Sequence, residues 1–330
     1  MKRKPKALVL FSGGLDSRLA TMMMREQLGE KNVELVFFAL PFGGGCCNDR
    51  FCSIKFSQLY GMKLHVIDCT KGVMFRKYMA VIKKPRFSRG VAFNPCIDCH
   101  LFMLKEAGKL ASRLKADFLV TGEVVGERPL SQNRHAMGII EKEAGLVGKV
   151  LRPLSAKLME ETVAEKKGWV EREKLLAING KKRSEQMALA KSYGIEFPMP
   201  AGGCVLTDVE YSRRLVNIMK YSPDPGIEEL ALVRLGRHFV SGKSTVIVGR
   251  NREENERLLE LSRKLKLPSF EAEGHPGPIT LIVSKSRPDK KTAVVAAKLT
   301  ARYSDCPKGS KCTVNAKWEE SVTLGGDSAT

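Results

Sequence analysis

Ser12, Gly13, Gly14, Asp16 and Ser17 fall within six residues, directly after the apolar run at 7–11. Glycines in a strand-to-helix turn let backbone N–H groups approach an anion, and the next helix adds the positive end of its dipole. Ser12 and Ser17 offer hydroxyls, and Asp16 can meet Mg²⁺ or a ribose. Together these residues make a phosphate cradle. A second group is Cys96-Ile-Asp-Cys99-His100, where two thiols three apart at a helix start can share one metal. The dipole of that helix is expected to lower their pKa values. Taken alone the pair fits a redox couple, a zinc half-site finished by His100, or iron–sulfur ligation. A further thiol, Cys204, follows Gly202 and Gly203 in a flexible loop.

The elements that must hold these groups alternate. Apolar runs at 7–11, 33–40, 63–67 and 117–122 suit buried strands, and helical patterns occupy about 18–28, 50–60, 73–83 and 99–114. Strands alternating with helices imply right-handed crossovers and a doubly wound, mostly parallel α/β sheet. Ligands of such sheets lie beyond the carboxyl strand ends, where the Ser-Gly-Gly turn, the loop after Leu40 and Thr121-Gly122 all fall. Residues 128–200 are very basic and are expected to be mostly helical. Beyond Cys204, Pro223, Pro225 and Gly226 suggest a boundary, followed by short strands and one clear helix capped by Asn251. The expected division is 1–210 for chemistry, 211–321 for a smaller α+β domain and 322–330 for a flexible tail. Gly236 to Thr245 imitates a Walker A loop, but its spacing is one residue too long and a strand-like run follows where a helix is required.

Formal net charge is +20, and residues 1–204 carry 35 Lys+Arg against 20 Asp+Glu. A polyanion therefore fits the first domain, since positive fields steer nucleic acids. No stretch approaches the ~20 apolar residues that span a bilayer. The basic start at Met1 runs straight into the first strand, so the expectation is a cytoplasmic protein with mostly reduced cysteines. Cys69 suits the core, and Cys306 and Cys312 a polar loop. Cys46, Cys47 and Cys52 carry no assigned role. His65 suits buried structure, and His135 the cleft. Gln132 is a candidate for a target base, and Arg152 for a phosphate.

The Ser-Gly-Gly-x-Asp-Ser motif resembles the signature of PP-loop ATP pyrophosphatases, which cleave ATP between the α and β phosphates and adenylate a substrate. Over roughly residues 5–210 the chain resembles the tRNA thiouridylase branch, the 2-thiouridylases in particular. Asn94-Pro95 through Cys99 is similar to that family's Asn-Pro segment with its first cysteine, and Cys204 to its second. Cys96 stands where the family often has aspartate, and Thr121-Gly122-Glu123 resembles a Thr-Gly-His. The resemblance implies ATP and Mg²⁺ as cofactors, tRNA as partner and a sulfur donor, either free sulfide or a persulfide carrier. A homodimer is compatible with it. Three cysteines (96, 99 and 204) can hold a [4Fe–4S] cluster with one iron open, whereas a persulfide relay needs only Cys99 and Cys204. Residues 232–252 faintly resemble NFACT-R-type RNA-binding domains, with Arg234, Arg237, His238, Lys243, Arg250 and Arg252 as phosphate-facing candidates. The expected function is ATP-dependent tRNA uridine thiolation. The alternatives are another PP-loop enzyme (a small-molecule sulfur transferase or amidating synthetase) and a non-catalytic RNA-binding protein.

Overall fold

The apolar run ahead of the Ser-Gly-Gly turn folds as strand β1 (Ala7–Leu10), at the centre of a five-stranded parallel sheet. Its neighbours are β2 (Val33–Ala39) and β4 (Phe118–Thr121), and the outer strands are β3 (Leu64–Asp68) and β5 (Val150–Leu151). The order is β3-β2-β1-β4-β5, with Ala7 opposite both Val33 and Phe118. Helices α1 (Leu15–Leu28), α2 (Arg50–Leu59), α3 (Gly72–Lys83) and α4 (Cys96–Leu114) lie between the strands in sequence. Leu8, Val9, Leu35, Phe37 and Leu119 are buried, and strands covered on both faces read as unbroken apolar runs because neither face meets water. This is the doubly wound α/β sheet expected. Strand order reverses at the β1–β4 junction, so the crevice at their carboxyl ends is the topological switch point.

We obtained the structure as a computed structural model, which describes residues 3–43, 50–88, 90–198, 203–307 and 309–318, with backbone alone at 50–52. Cys46, Cys47 and the tail 322–330 lie outside the described residues, as does the side chain of Cys52. The chain divides into two units, Met1–Val209 and Glu210–Thr330. Among the described residues no helix is long and apolar enough to cross a membrane.

The basic segment 128–200 is less helical than expected. Among its described residues, helix is confined to α5 (Arg134–Ala144), the single turn α6 (Val163–Lys166), α7 (Ser184–Ser192) and two short 3₁₀ turns. Pro153 lacks a backbone donor, and buried Leu154, Val170, Leu175 and Ile178 follow no helical period. The segment packs as an irregular layer against the core around Leu19, Met23 and Phe118.

In the second unit, helices α8 (Val209–Tyr221) and α9 (Ile227–Leu232) lead into β6 (Arg237–Ser241), β7 (Ser244–Val248), α10 (Arg252–Leu265), β8 (Ser269–Ala272), β9 (Thr280–Ser284), α11 (Lys290–Arg302) and β10 (Val314–Lys317). The strands form an antiparallel sheet in the order β10-β8-β9-β7-β6 around Val246, Val248, Phe270, Ile282 and Ala296. Asn251 caps α10 by accepting the Glu254 N–H at 2.9 Å. A second long helix, α11, joins it, capped in the same way by Asp289. The Walker-like residues form the β6–β7 hairpin, so no phosphate loop exists there. His238 is not a phosphate-facing residue. Its Nε2 donates to the carbonyls of Leu235 (3.0 Å) and Leu232 (3.2 Å), and burial, aided by Arg214, pushes its pKa down to about 4. Arg250 and Arg252 are each taken by a glutamate one turn on, Glu254 and Glu256, while Arg237 lies 4.9 Å over the Tyr303 ring.

Candidate active site

The carboxyl ends of β1, β2 and β4 open into a cavity of about 780 Å³, lined by Ser12, Gly14, Asp16, Ser17, Phe38, Thr121 and Gly122 among others. Gly13 has φ +82°, a left-handed conformation that a side chain would strain. Arg18 locks the turn from behind. Its Nε donates to Gly13 O at 2.7 Å, its Nη1 to Glu196 O at 2.9 Å, and its guanidinium stacks 4.8 Å from the Phe56 ring. Ser17 Oγ donates to Gly14 O at 2.9 Å, so this hydroxyl holds the loop, while Ser12 remains partly exposed in the cavity. Gly122 packs against the loop so closely that a Cβ there would lie 2.5 Å from Ser17 N. Asp16 Oδ2 accepts from Arg183 Nη2 at 3.2 Å, whereas its Oδ1 is buried with no hydrogen-bond partner. Burial raises the Asp16 pKa, and Arg183 only partly offsets this. Glu127, 3.9 Å from Arg183 Nε, is raised as well, by burial and then by the Asp16 charge.

Cys96, Cys99 and Cys204 line the same cavity. Cys96 and Cys99 occupy the first turn of α4, which is anchored by the intervening Asp98. Its carboxylate accepts the Arg86 and Phe87 N–H groups, both at 2.9 Å. Cys204 is exposed, and its segment is tied to the α4 entrance by the Asn94 N–H, which donates to Leu206 O at 3.0 Å. Cys99 Sγ lies 3.3 Å from the Tyr78 hydroxyl, a neighbour on α3 that sequence reasoning missed because nothing local marks it. The thiols are not acidified as expected. Burial pushes Cys96 up to about 11 and Cys99 to about 12, and the neighbouring Cys204 charge adds to both, so desolvation outweighs the helix dipole. Among the described residues no group of three or more His, Cys, Asp or Glu is gathered tightly enough for a single metal ion. Zinc finished by His100 therefore lacks a ligand set, since His100 Nδ1 faces Glu123 Oε1 at 2.8 Å.

Glu123 anchors a largely buried network. Its Oε2 accepts from Arg152 Nε at 2.9 Å and Thr121 Oγ1 at 3.0 Å, and Arg152 also reaches Glu141. Arg152, 2 % exposed, is thus committed to carboxylates and is not a phosphate ligand. Burial pushes the Glu123 carboxyl up, but Arg152, His100 and Thr121 together outweigh it and hold the pKa at about 2. Glu123→Gln is expected to cost about 3 kcal/mol, because a buried guanidinium loses one of its two carboxylates. The fold favours the ionised form, so this stabilisation is complete above the ordinary value of 4.5 and drains as pH falls through about 2. The gap in unfolding free energy between wild type and variant, followed by denaturant titration, should narrow over that window. Gln132 lines the cavity with a buried, unpartnered Oε1. His135 instead sits exposed on α5, one residue after its start, and does not line the cavity. His65 is half-buried on β3 beside Glu34, at 2.6 Å, and Cys69 is fully buried. Cys306 and Cys312 neighbour each other in the loop before β10.

A family model described as thiamine biosynthesis protein (ThiI) matches residues 3–167, half of the chain. The chain belongs to the ThiI family. In this ThiI-family protein the match spans the PP-loop, the cysteine pair and the Glu123 network. A second model, NFACT protein RNA binding domain, matches residues 236–324. No curated protein matches the chain. Among solved structures, the U34-tRNA thiolase NcsA from Methanococcus maripaludis, determined with its [4Fe–4S] cluster, is similar at 19 % identity and TM-score 0.35, covering 70 % of this chain and 72 % of that one. The C-terminal part of the fibronectin/fibrinogen-binding protein from Streptococcus suis is similar at 16 % identity and TM-score 0.23, covering 41 % of this chain and 61 % of that one.

Proposed function

We propose that this chain is an ATP-dependent tRNA uridine thiolase that releases AMP and pyrophosphate. The reading is carried by one juxtaposition: three thiols, Cys96, Cys99 and Cys204, line the cavity that the PP-loop opens into. Ser12, Gly13, Gly14 and Ser17 cradle the phosphates, and the unpartnered Oδ1 of Asp16 is the oxygen left for Mg²⁺. Thr121 and Gly122 pack beside the glycine turn and line the same cavity. The uridine carbonyl oxygen attacks the α-phosphorus, the bond to the α–β bridging oxygen breaks, and the ring N3 proton is shed. Hydrosulfide then attacks the adenylated carbon, the carbon–oxygen bond breaks, and AMP departs with that oxygen. Adenylation is needed because a carbonyl oxygen leaves too poorly for sulfur to replace it. Backbone amides of the glycine turn stabilise the charge that develops on the phosphates.

The donor set fits a [4Fe–4S] cluster, since thiolates are its usual ligands and these three reach one space from two separate segments. Cys96, Cys99 and Cys204 would hold such a cluster, which when bound would supply an open iron for the sulfur nucleophile. Free sulfide delivers that sulfur directly, whereas a persulfide carrier delivers it as hydrosulfide only when a thiol reductant attacks the inner sulfur and forms a disulfide with the carrier. Residues 1–210 perform the chemistry, and 211–321, which hold most of the RNA-binding match, hold the tRNA. A second reading, sulfur transfer to a small molecule, is favoured by the thiamine-biosynthesis description of the family model. Anaerobically purified protein with ATP, Mg²⁺, sulfide and unmodified tRNA should form thiouridine, read by nucleoside mass spectrometry, with ATP–pyrophosphate exchange stimulated by tRNA. Exchange that ignores tRNA but responds to a thiazole precursor would move the protein to the second reading. Bound tRNA with neither exchange nor thiouridine would leave a non-catalytic RNA-binding protein.

A further inference from the structure

Arg183 precedes the first turn of α7, 167 residues away from the carboxylate it binds. Nothing in its local sequence marks it beyond the basic run with Lys181 and Lys182, both exposed. Its position is nevertheless built. Residues 176–180 run beside the loops that leave β4 and β5. Leu176 N–H donates to Pro153 O (2.9 Å), Ile178 N–H to Leu154 O (2.8 Å) and Gly180 N–H to Val125 O (2.8 Å). Asn179 and Val125 form a parallel bridge, and α7 then packs on α1. Arg183 is thereby brought to the PP-loop and lines its cavity.

The polar atoms there are incompletely satisfied in a pattern that points to a ligand. Arg183 Nη2 holds Asp16 Oδ2, while Arg183 Nε and Asp16 Oδ1 are both buried without a hydrogen-bond partner. Gln186, one turn along α7 and fully buried, lies beside Asp16 and helps to stabilise its charge, while its Oε1 has no hydrogen-bond partner. Buried polar groups are normally paired, and orphans gathered in one place mark a missing partner. Two carboxylates, Asp16 and Glu127, flank the Arg183 guanidinium, and Arg128 also acts on Glu127, so carboxylate oxygens and cationic donors stand side by side, a set that suits a divalent cation carrying phosphate.

We propose that Arg183 is the positioning residue of the PP-loop. It fixes one oxygen of Asp16 so that the other faces the metal, and the part of its guanidinium that lines the cavity, turned away from Glu127, receives the β and γ phosphates that leave as pyrophosphate. A guanidinium suits this double task because its planar fork fixes donors on separate nitrogens in two directions, whereas an ammonium's three donors share one freely rotating nitrogen. The proposal rests on the reading that this cavity takes ATP, and it adds a residue outside the Ser-Gly-Gly turn to the phosphate site.

Calorimetric binding of inorganic pyrophosphate and of ATP, each with Mg²⁺, to wild type, Arg183→Ala and Arg183→Lys tests it. Arg183→Ala is expected to weaken pyrophosphate at least tenfold and to raise the Mg²⁺ concentration needed for half-maximal ATP binding. Iron content should be unchanged. Arg183→Lys should recover part of the pyrophosphate affinity and none of the Mg²⁺ dependence. Unchanged pyrophosphate affinity and Mg²⁺ dependence in Arg183→Ala overturn the proposal while leaving the wild-type thiolase reading intact. Should Arg183→Ala not fold, unchanged binding by Arg183→Lys overturns it equally. A wild type that binds neither ligand removes the ATP reading itself, and the proposal with it.

Discussion

Cys96→Ala is expected to leave the anaerobically purified protein without its iron and acid-labile sulfide, about four of each in the wild type, and without visible charge-transfer absorption. Thiouridine formation should fall to background in the same preparation. Cys96 is the informative choice because a persulfide relay through Cys99 and Cys204 has no use for it. It stands in the first turn of α4, beside Cys99 and facing the Cys204 segment that the Asn94–Leu206 hydrogen bond holds in place. The protein should still fold, since the helix entrance is anchored by Asp98, whose carboxylate takes two backbone N–H groups. ATP binding should survive as well, because the PP-loop touches none of the substituted atoms. An iron-free wild type that thiolates tRNA normally would transfer the chemistry to a Cys99 persulfide.

Gly122→Ala should disable the nucleotide site without altering a single polar side chain. The added Cβ would meet Ser17 N at 2.5 Å and the Asp16 carbonyl carbon and oxygen at 2.6 and 2.7 Å. These are backbone atoms, which cannot swing aside as a side chain can, so the turn itself must move. A displacement on the order of 1 Å costs roughly a hundredfold in a positioned reaction, and that loss should appear in ATP–pyrophosphate exchange. Overpacking should also lower unfolding free energy by about 1–3 kcal/mol. Gly138→Ala on α5 is the control: no atom lies within 4 Å of its Cβ, so it should leave exchange unchanged. Equal exchange rates for the two variants would show that the contact between β4 and the PP-loop is not needed.

The parallel sheet was legible because its strands are buried on both faces and therefore read as plain apolar runs, Val33 to Ala39 most clearly. The Ser-Gly-Gly turn and the three thiols were legible because their chemistry depends on residue type and short spacing. What escaped was decided by distance. Arg152 looks like a phosphate ligand until Glu123 and Glu141 occupy it, and Tyr78 meets Cys99 only after α3 packs on α4. The acidity expected of the two thiols failed for a related reason: a helix start is visible in a sequence, but its burial is not. In residues 128–200 the abundant Lys and Glu imitate a solvated helix. Scattered apolar residues such as Leu154 and Ile178 pull much of that segment flat against the first unit's core instead.

The origin of the three thiols in two distant segments bears on how the protein is made. Two of them lie on α4, and the third emerges from the ribosome only after the whole layer between them has been synthesised. A cluster on all three would close a loop of roughly a hundred residues, and closure of a long loop removes much of the unfolded chain's freedom. The cluster would then act as a clasp on the first unit as well as a reagent. Loading would be a late event, after that unit's last residues are free to fold, and iron starvation would show first as shortened protein lifetime.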